Sequence, residues 1–225
     1  MKKSILFSVL VVGATLLQAQ SITVHQTCGQ NGQVIETNGH ECVDLGLPSG
    51  TLWATCNVGT TTPEGYGDHF AWGETTTKST YDWSTYFDTN DGGSTFAKYN
   101  NNGGKTVLDP EDDAAHVNWG GSWRMPTKAE WQELCDNCTW TWTTQNGIKG
   151  YKVTSNKAGY TDKFIFLPAD SWLNSDSLGY YWSSSLLEYY SNGAWILCFE
   201  SYYRLLTYGN LVYRCYGLAV RPVLP

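Results

Sequence analysis

Seven cysteines are the residues whose chemistry is easiest to name, since thiols form disulfides, catalyse redox exchange or bind metals. Cys135 and Cys138 form a C-x-x-C pair, which in redox enzymes follows a strand and opens a helix. Here the pair falls late in a predicted helix, which argues against redox catalysis. A zinc site needs four ligands, and no second C-x-x-C or H-x-H pair supplies them. We therefore expect neither a metal nor a cofactor.

Disulfide formation is the remaining expectation for the thiols, because the N-terminus predicts export to an oxidising compartment. Residues 2–3 are basic, residues 5–17 are apolar, and Leu-Gln-Ala at 17–19 fits a signal-peptide cleavage site. The apolar run is shorter than a transmembrane helix usually requires. We predict a signal peptide at residues 1–19 and a protein that is secreted or displayed on the cell surface. Three disulfide pairings stay open: Cys28 with Cys42, Cys56 with Cys138 or Cys135, and Cys198 with Cys215.

Acidic and histidine side chains offer no catalytic set. The run Glu111-Asp112-Asp113 could bind a hard cation, but the favourable interaction of acids with a helix N-terminus explains it more simply. A Ser-His-Asp arrangement is not suggested, because the histidines lie in loops or a helix without a nucleophile motif. These are His25, His40, His69 and His116. We predict that the chain is not an enzyme and has no catalytic residue.

Binding is the chemistry that residues 180–216 favour. This segment holds nine of the chain's 15 tyrosines and only four charged side chains. Tyrosine among serine, glycine and asparagine is typical of recognition surfaces, because its large side chain has few torsions to freeze. A β-rich core is the alternative. The pairs Tyr189-Tyr190 and Tyr202-Tyr203 argue against a pure core, because neighbouring strand residues point to opposite faces.

The alternation of side chains along residues 194–201 predicts which of these residues belong to the binding surface. It puts Trp195, Leu197 and Phe199 on one apolar face and Ile196, Cys198 and Glu200 on a mixed face that we expect to point outward. Half of the large groups that follow are expected to pack against the loops of residues 59–105 instead. The predicted ligand-contacting residues are Tyr189, Tyr190, Ile196, Cys198, Glu200, Tyr202, Tyr203, Leu205, Tyr208, Tyr213 and Tyr216.

Two helices and a set of antiparallel strands are predicted to position that surface. Asp109 followed by Pro110 marks the start of the first helix, and Thr127 with Glu130 forms the capping box of the second. Residues 59–105 have no helical period, and we expect ordered loops held down by aromatic side chains. Strands are predicted near residues 43–50 and 51–58, then at 150–154, 164–167, 180–184, 194–201 and 218–223.

The predicted fold class is α+β, with two helices and a mainly antiparallel, irregular, loop-rich sheet. Residues 20–42 are predicted to be an N-terminal extension with weak patterning, and residues 43–225 a single domain. The net charge of −7 argues against nucleic acid as a partner, because phosphate-backbone binding needs clustered basic residues. Arg124 and Arg221 are expected to be structural, since a buried guanidinium joins loops through several carbonyls.

Five motifs together carry a resemblance to a known family. They are residues 43–50 (VDLGLPSG), 53–59 (WATCNVG), 118–131 (NWGGSWRMPTKAEW), 181–184 (YWSS) and 220–223 (VRPV). In this order they resemble the Fibrobacter succinogenes major paralogous domain, over about residues 43–225. The resemblance implies the C-type lectin-like fold of the formylglycine-generating-enzyme branch. Many members of that family are exported proteins of gut Bacteroidetes.

The resemblance also implies a function. The family is similar to the variable proteins of diversity-generating retroelements, which suggests an adhesin or receptor for a glycan or protein on a cell or phage surface. The tripeptides with which animal lectins bind calcium and sugar do not occur here. Formylglycine-generating enzymes use a close pair of C-terminal cysteines, which Cys198 and Cys215 do not match in spacing. A structural subunit of a surface assembly is the main alternative, and an oxidoreductase of the formylglycine-generating type is a weaker one.

Overall fold

Short strands and long connecting loops make up most of the computed structural model, which describes residues 22–26, 33–170, 177–207 and 212–225. The first half contains β1 (Ile22–Gln26), β2 (Gln33–Thr37), β3 (His40–Val43), β4 (Leu52–Ala54), β5 (His69–Phe70), α1 (Ala114–Trp119) and α2 (Lys128–Asn137). The second half contains β6 (Cys138–Gln145), β7 (Ile148–Ser155), β8 (Phe164–Pro168), β9 (Leu178–Leu186), β10 (Ala194–Glu200), β11 (Tyr203–Thr207), β12 (Leu218–Ala219) and β13 (Val223–Leu224).

Three sheets organise the described strands. Their strand orders are β1-β2-β3-β4-β13, β11-β10-β9-β12-β5 and β6-β7-β8. Neighbouring strands are antiparallel except β12 and β9, which run parallel where Ala219 lies opposite Tyr181. The predicted α+β class with two helices and a mainly antiparallel, loop-rich arrangement is confirmed at this level. Residues 59–105 contain only the two-residue strand β5 among their loops, as their polar, aperiodic sequence predicts.

The sequence signal for the start of α2 is confirmed, and the one for the start of α1 is wrong. The capping box of α2 is confirmed, because the Thr127 side chain accepts from the Glu130 N–H while Glu130 accepts from the Thr127 N–H. Asp109 does not cap α1; it precedes a 3₁₀ turn at Pro110–Asp112. The N-cap of α1 is Asp113, whose buried carboxylate accepts from backbone N–H groups both in the helix and at Met125. The prediction failed because both aspartates have the right chemistry and only the tertiary contact to Met125 distinguishes them.

Strands β2 and β3 belong to the first sheet, whereas most of their residues were predicted to lie in an N-terminal extension. They form a hairpin in which Ile35 lies opposite Cys42. Its turn is Asn38-Gly39, with φ of 54° and 78°, the left-handed conformation that two-residue hairpin turns require. Next to it, β3 pairs with β4. The Asn-Gly turn signal was present in the sequence and predicts this hairpin.

Strand β10 is buried on both faces, which corrects one part of the predicted binding surface. Leu197 and Phe199 pack with Trp53, Trp131 and Tyr181 on one side of the sheet. Ile196 and Cys198, which we expected to face outward, are 1% and 6% exposed. They belong to a second core cluster on the other side, with Trp72, Trp123 and Trp182. A mixed-polarity face was therefore misread as solvent-facing, because distant loops and α1 cover it.

The predicted disulfides are absent from the described residues. Cys42, Cys56, Cys198 and Cys215 are buried free thiols, so none of the three pairings forms in this structure. Cys28 lies outside the described residues. The Cys42 thiol donates to the Ile35 carbonyl at 3.4 Å, and burial raises its pKa to about 12. Thiols of this kind behave as small apolar groups in a core.

Arg221 ties three parts of the fold together from a position with no solvent exposure. Its guanidinium donates to the Asn57 side chain and to the carbonyl oxygens of Ala54, Thr55 and Phe166, over distances of 2.8 to 3.0 Å. The acceptors lie on and after β4 and on β8. The expected structural role of Arg221 is confirmed. Arg124, half-buried, instead pairs with Glu130 of α2 at 2.5 Å.

We expect Arg221→Met to lower the free energy of unfolding by about 3 kcal/mol or more, because several buried acceptors would lose a charged donor. Urea unfolding followed by tryptophan fluorescence measures the change. The control is Lys105→Met, which removes an exposed ion pair to Asp109 and is expected to cost no more than about 1 kcal/mol. Equal urea midpoints for Arg221→Met and the wild type would show that these hydrogen bonds do not hold the sheets together.

Candidate ligand-binding surface

The predicted binding residues separate into two groups at opposite ends of β10. Tyr189 and Tyr190, 81% and 62% exposed, lie in the connection that precedes β10. Tyr202 and Tyr203, 80% and 38% exposed, lie where the chain turns from β10 into β11. A strand of this length separates its ends by about 20 Å. The structure therefore offers two tyrosine surfaces instead of the single one that sequence proximity suggested.

The backbone that carries the first group pairs with a segment whose aromatic side chains cluster with those of other loops. The ring of Tyr213 lies 5.5 Å from that of Trp83 and 5.6 Å from that of Tyr216, and Phe96 lies 5.7 Å from Trp83. All four are partly buried. The strand connection joins them because Gly193 forms a bridge with Tyr213 and donates its N–H to the Tyr190 carbonyl. We call Trp83, Phe96, Tyr189, Tyr190, Tyr213 and Tyr216 the aromatic loop surface.

A buried arginine supports the aromatic loop surface from below. Arg214 is fully buried and donates to the Tyr99 carbonyl at 2.9 Å and to the Asp88 carboxylate at 3.3 Å. Its guanidinium stacks 3.8 Å from the Phe96 ring. Asp88 in turn accepts from the backbone N–H groups of residues 97–99. The residue next to Tyr213 thus locks the loop that carries Phe96.

Sequence reasoning missed Arg214, Trp83 and Phe96 as parts of this surface. Trp83 is one of the aromatic side chains of residues 59–105 that were expected only to hold those loops against the body, as Trp72 and Tyr86 do. The sequence contained one signal that Arg214 has a special role, since it is one of only two basic residues in residues 180–216. An isolated arginine among aromatic side chains is a candidate for a buried stacked guanidinium.

The second group surrounds a cysteine. The Tyr202 and Tyr203 rings lie 5.2 Å apart, and the Cys198 thiol lies near the side chains of Tyr180 and Tyr203. Burial raises the pKa of Cys198, so its sulfur is a neutral thiol and a poor nucleophile at neutral pH. Glu200 is half-buried at the end of β10. The backbone of Leu205 is in β11; its side chain and Tyr208 lie outside the described residues.

A cleft of about 490 Å³ lies on another part of the molecule, between β3, the end of α1 and residues 58–68. Its wall includes His40, whose ring stacks 3.7 Å above Trp119. Burial lowers the pKa of His40, which keeps the imidazole neutral at pH 7. Asp68, Asn118 and two threonines complete the lining. The cleft is open with a mixed polar and apolar lining, and it shares no lining residue with the aromatic loop surface.

A lysine lies among the acidic side chains that precede the first helix. The Lys98 ammonium lies 2.9, 3.0 and 2.6 Å from carboxylate oxygens of Asp109, Glu111 and Asp112. These three acids form a cluster that has the spacing for a metal ion. Because the ammonium lies among them, the cluster fixes the loop that carries Tyr99 to the 3₁₀ turn. Asp113 points into the core instead.

Comparisons with protein-family models, with curated proteins and with solved structures find no match to this chain. Among the described residues, no helix has the length and apolar character needed to cross a bilayer. The molecule is defined at this level as an α+β domain whose loops present clustered aromatic side chains.

One ionisable pair holds a loop at the base of the aromatic loop surface. His69 on β5 contacts the Asp170 carboxylate at 2.5 Å, and the Tyr81 hydroxyl donates to the His69 carbonyl. Tyr81 packs beside Trp83 and Tyr213 in the same small cluster. The hydrogen bond to Asp170 raises the pKa of His69 above its ordinary value. A raised histidine pKa stabilises the fold at low pH, and that stability is lost as pH rises through the folded-state pKa.

We expect Asp170→Asn to destabilise the protein more at about pH 5.5 than at about pH 8.5, because the ion pair exists only while His69 is protonated. Histidine proton NMR should give a His69 midpoint above that of an unstructured histidine in the wild type and a lower midpoint in the variant. His40 serves as the internal control, since its lowered midpoint should not move. A His69 midpoint unaffected by the substitution would rule out this coupling.

Proposed function

We propose that the chain is a non-catalytic recognition domain that binds a glycan or a protein through the aromatic loop surface. The observation that carries the proposal is a cluster of four aromatic side chains from separate loops, Trp83, Phe96, Tyr213 and Tyr216, whose backbone is bridged to the connection that carries the exposed Tyr189 and Tyr190. Tyrosine and tryptophan rings stack on sugar faces and fill protein pockets, and they lose little conformational freedom on binding. Arg214 and Asp88 pre-order the loops, which lowers the entropy cost of binding.

The fold-level proposal is a C-type lectin-like domain similar to the Fibrobacter succinogenes major paralogous domain. Its support is the difference in burial between residues inside and outside the motifs. Trp53, Trp131, Trp182 and Arg221, which belong to the motifs behind that resemblance, are fully buried. The exposed tyrosines lie outside those motifs. A constant frame with variable loops is the arrangement expected of a receptor of this class.

Export and the surface location of the ligand remain part of the proposal. Residues 1–19, the predicted signal peptide, lie outside the described residues. A protein displayed outside the cell would meet glycans and proteins on cell or phage surfaces. Catalysis is disfavoured because the Cys198 and Cys215 thiols are buried and burial raises both pKa values, that of Cys215 to about 12.

The test compares the two tyrosine groups as binding sites. A triple variant, Tyr189→Ser with Tyr190→Ser and Tyr213→Ser, should weaken binding about tenfold or more, since interface tyrosines dominate binding energy. The matched control, Tyr202→Ser with Tyr203→Ser, removes tyrosines at the other end of β10 and should leave binding unchanged. The probes are a printed array of microbial and host glycans and an array of purified bacterial and phage surface proteins. Near-ultraviolet circular dichroism checks that both variants fold.

Three results would count against this assignment. Equal loss of binding in both variants would move the site away from the aromatic loop surface or extend it across β10. Full binding by the triple variant would exclude the surface as the site. Absence of binding to every probe on both arrays, with the wild type folded, would remove the recognition proposal for those ligand classes.

A further inference from the structure

The third sheet has one covered edge and one edge without a described partner strand. On β8, the carbonyl of Phe166 accepts from Arg221 at 2.9 Å and that of Pro168 accepts from the Tyr181 hydroxyl at 2.8 Å. This edge therefore faces the body of the protein. Strand β6 forms the opposite edge, and none of the described strands pairs with its outer side. A sheet edge of this kind is a template for another strand.

The geometry of β6 makes its outer edge regular. All eight of its residues pair in unbroken register with β7. The connecting turn is Asn146-Gly147, with φ of 47° and 86°, so Gln145 and Ile148 form the first hydrogen-bonded pair. Hydrogen-bonded and non-hydrogen-bonded positions then alternate along the strand. Trp142 and Thr144 accordingly direct their N–H and C=O groups away from β7, where the described chain offers them no backbone partner.

The composition of β6 contains none of the features that normally prevent edge pairing. Its sequence, CTWTWTTQ, has no charged residue, no proline and no glycine. Natural edge strands usually carry a lysine, a proline or a bulge, or are short. Here threonines on one face are exposed or half-exposed, while the two tryptophans on the other face are partly buried against Tyr151 and Phe199.

We propose that β6 pairs antiparallel with β6 of a second copy of this chain, about a twofold axis at Thr141. This register puts Thr141 opposite Thr141 of the second copy, Trp142 opposite Trp140, and Thr139 opposite Thr143. The central pairs join residues on the same face, threonine with threonine and tryptophan with tryptophan, which are favourable cross-strand pairs, and Cys138 lies opposite Thr144 further out. The hydrogen-bonded positions are the even-numbered ones, the set to which the outward-directed Trp142 and Thr144 belong.

A second copy fits this edge better than a foreign strand because the pattern is self-complementary. The chain carries a net charge of −7, which opposes random self-association, but no charge lies on the paired strand. The contact is isologous and closes after two copies, so it yields a dimer and not a filament. One strand pair buries less area than a typical stable interface, so the dimer should depend on concentration in the micromolar range or above.

Cysteine cross-linking tests the register directly. In the purified Thr141→Cys variant the two new thiols face each other at a non-hydrogen-bonded position, with Cβ atoms about 5 Å apart. In Thr143→Cys, the matched control on the same face, the new thiols are about 13 Å apart along the strand. Mild oxidation followed by a non-reducing gel should give a covalent dimer of Thr141→Cys at least fivefold faster than of Thr143→Cys.

Sedimentation velocity over a range of concentrations provides the second measurement. The wild type should shift from monomer to dimer, and Thr141→Lys should remain monomeric, because the twofold axis would place two ammonium groups opposite each other. Thr141 is exposed, so the substitution leaves the monomer folded. The proposal is overturned by a wild type that stays monomeric up to about millimolar concentration, where weak interfaces still associate. Equal dimerisation of Thr141→Lys, or equal cross-linking of both cysteine variants, would overturn it as well.

Discussion

Two buried guanidinium groups hold together a fold in which more of the described residues lie in loops and turns than in strands and helices. Backbone carbonyls in irregular segments need hydrogen-bond donors when they are removed from water. Arg221 supplies donors to the carbonyls around β4 and β8, and Arg214 supplies one to the loop that ends at Tyr99. Each arginine therefore supplies hydrogen-bond donors to loop carbonyls, as a neighbouring strand does to the carbonyls of a sheet. The framework and the aromatic loop surface both depend on these contacts.

How far the sequence predicts the fold depends on whether the relevant contact is local. The capping box at Thr127 and the strands near residues 150–154 and 164–167 were predictable, because neighbouring residues determine them. Strand β6 was missed although Thr and Trp alternate before an Asn-Gly turn, because Cys135 and Cys138 suggested that the helix continued. The choice of Asp113 over Asp109 as N-cap depends on a contact with Met125, twelve residues away, which no local pattern reveals.

The candidate site was predictable in composition but not in layout. Exposed tyrosine pairs were anticipated, and Tyr189, Tyr190, Tyr202 and Tyr203 are all exposed. Their separation by the length of β10 follows from hairpin topology, which the sequence did not specify. Ile196 and Cys198 were misassigned because burial of the second face comes from residues more than seventy positions away, such as Trp72 and Trp123. The alternation of side chains predicts which residues share a face of a strand. It does not predict which other residues cover that face.

The same burial pattern limits where a diversified receptor could change. Substitutions at Tyr189, Tyr190 and Tyr202 would alter exposed side chains that lie in neither of the two large core clusters. Substitutions at Ile196 or Cys198 would open cavities or overfill a packed core, at a cost of about 1–3 kcal/mol or more. Tyr213 and Trp83 lie between these extremes, since each supports the other. Variation confined to the loop tips would therefore keep the scaffold intact, and a self-paired β6 would present two such surfaces to one multivalent ligand.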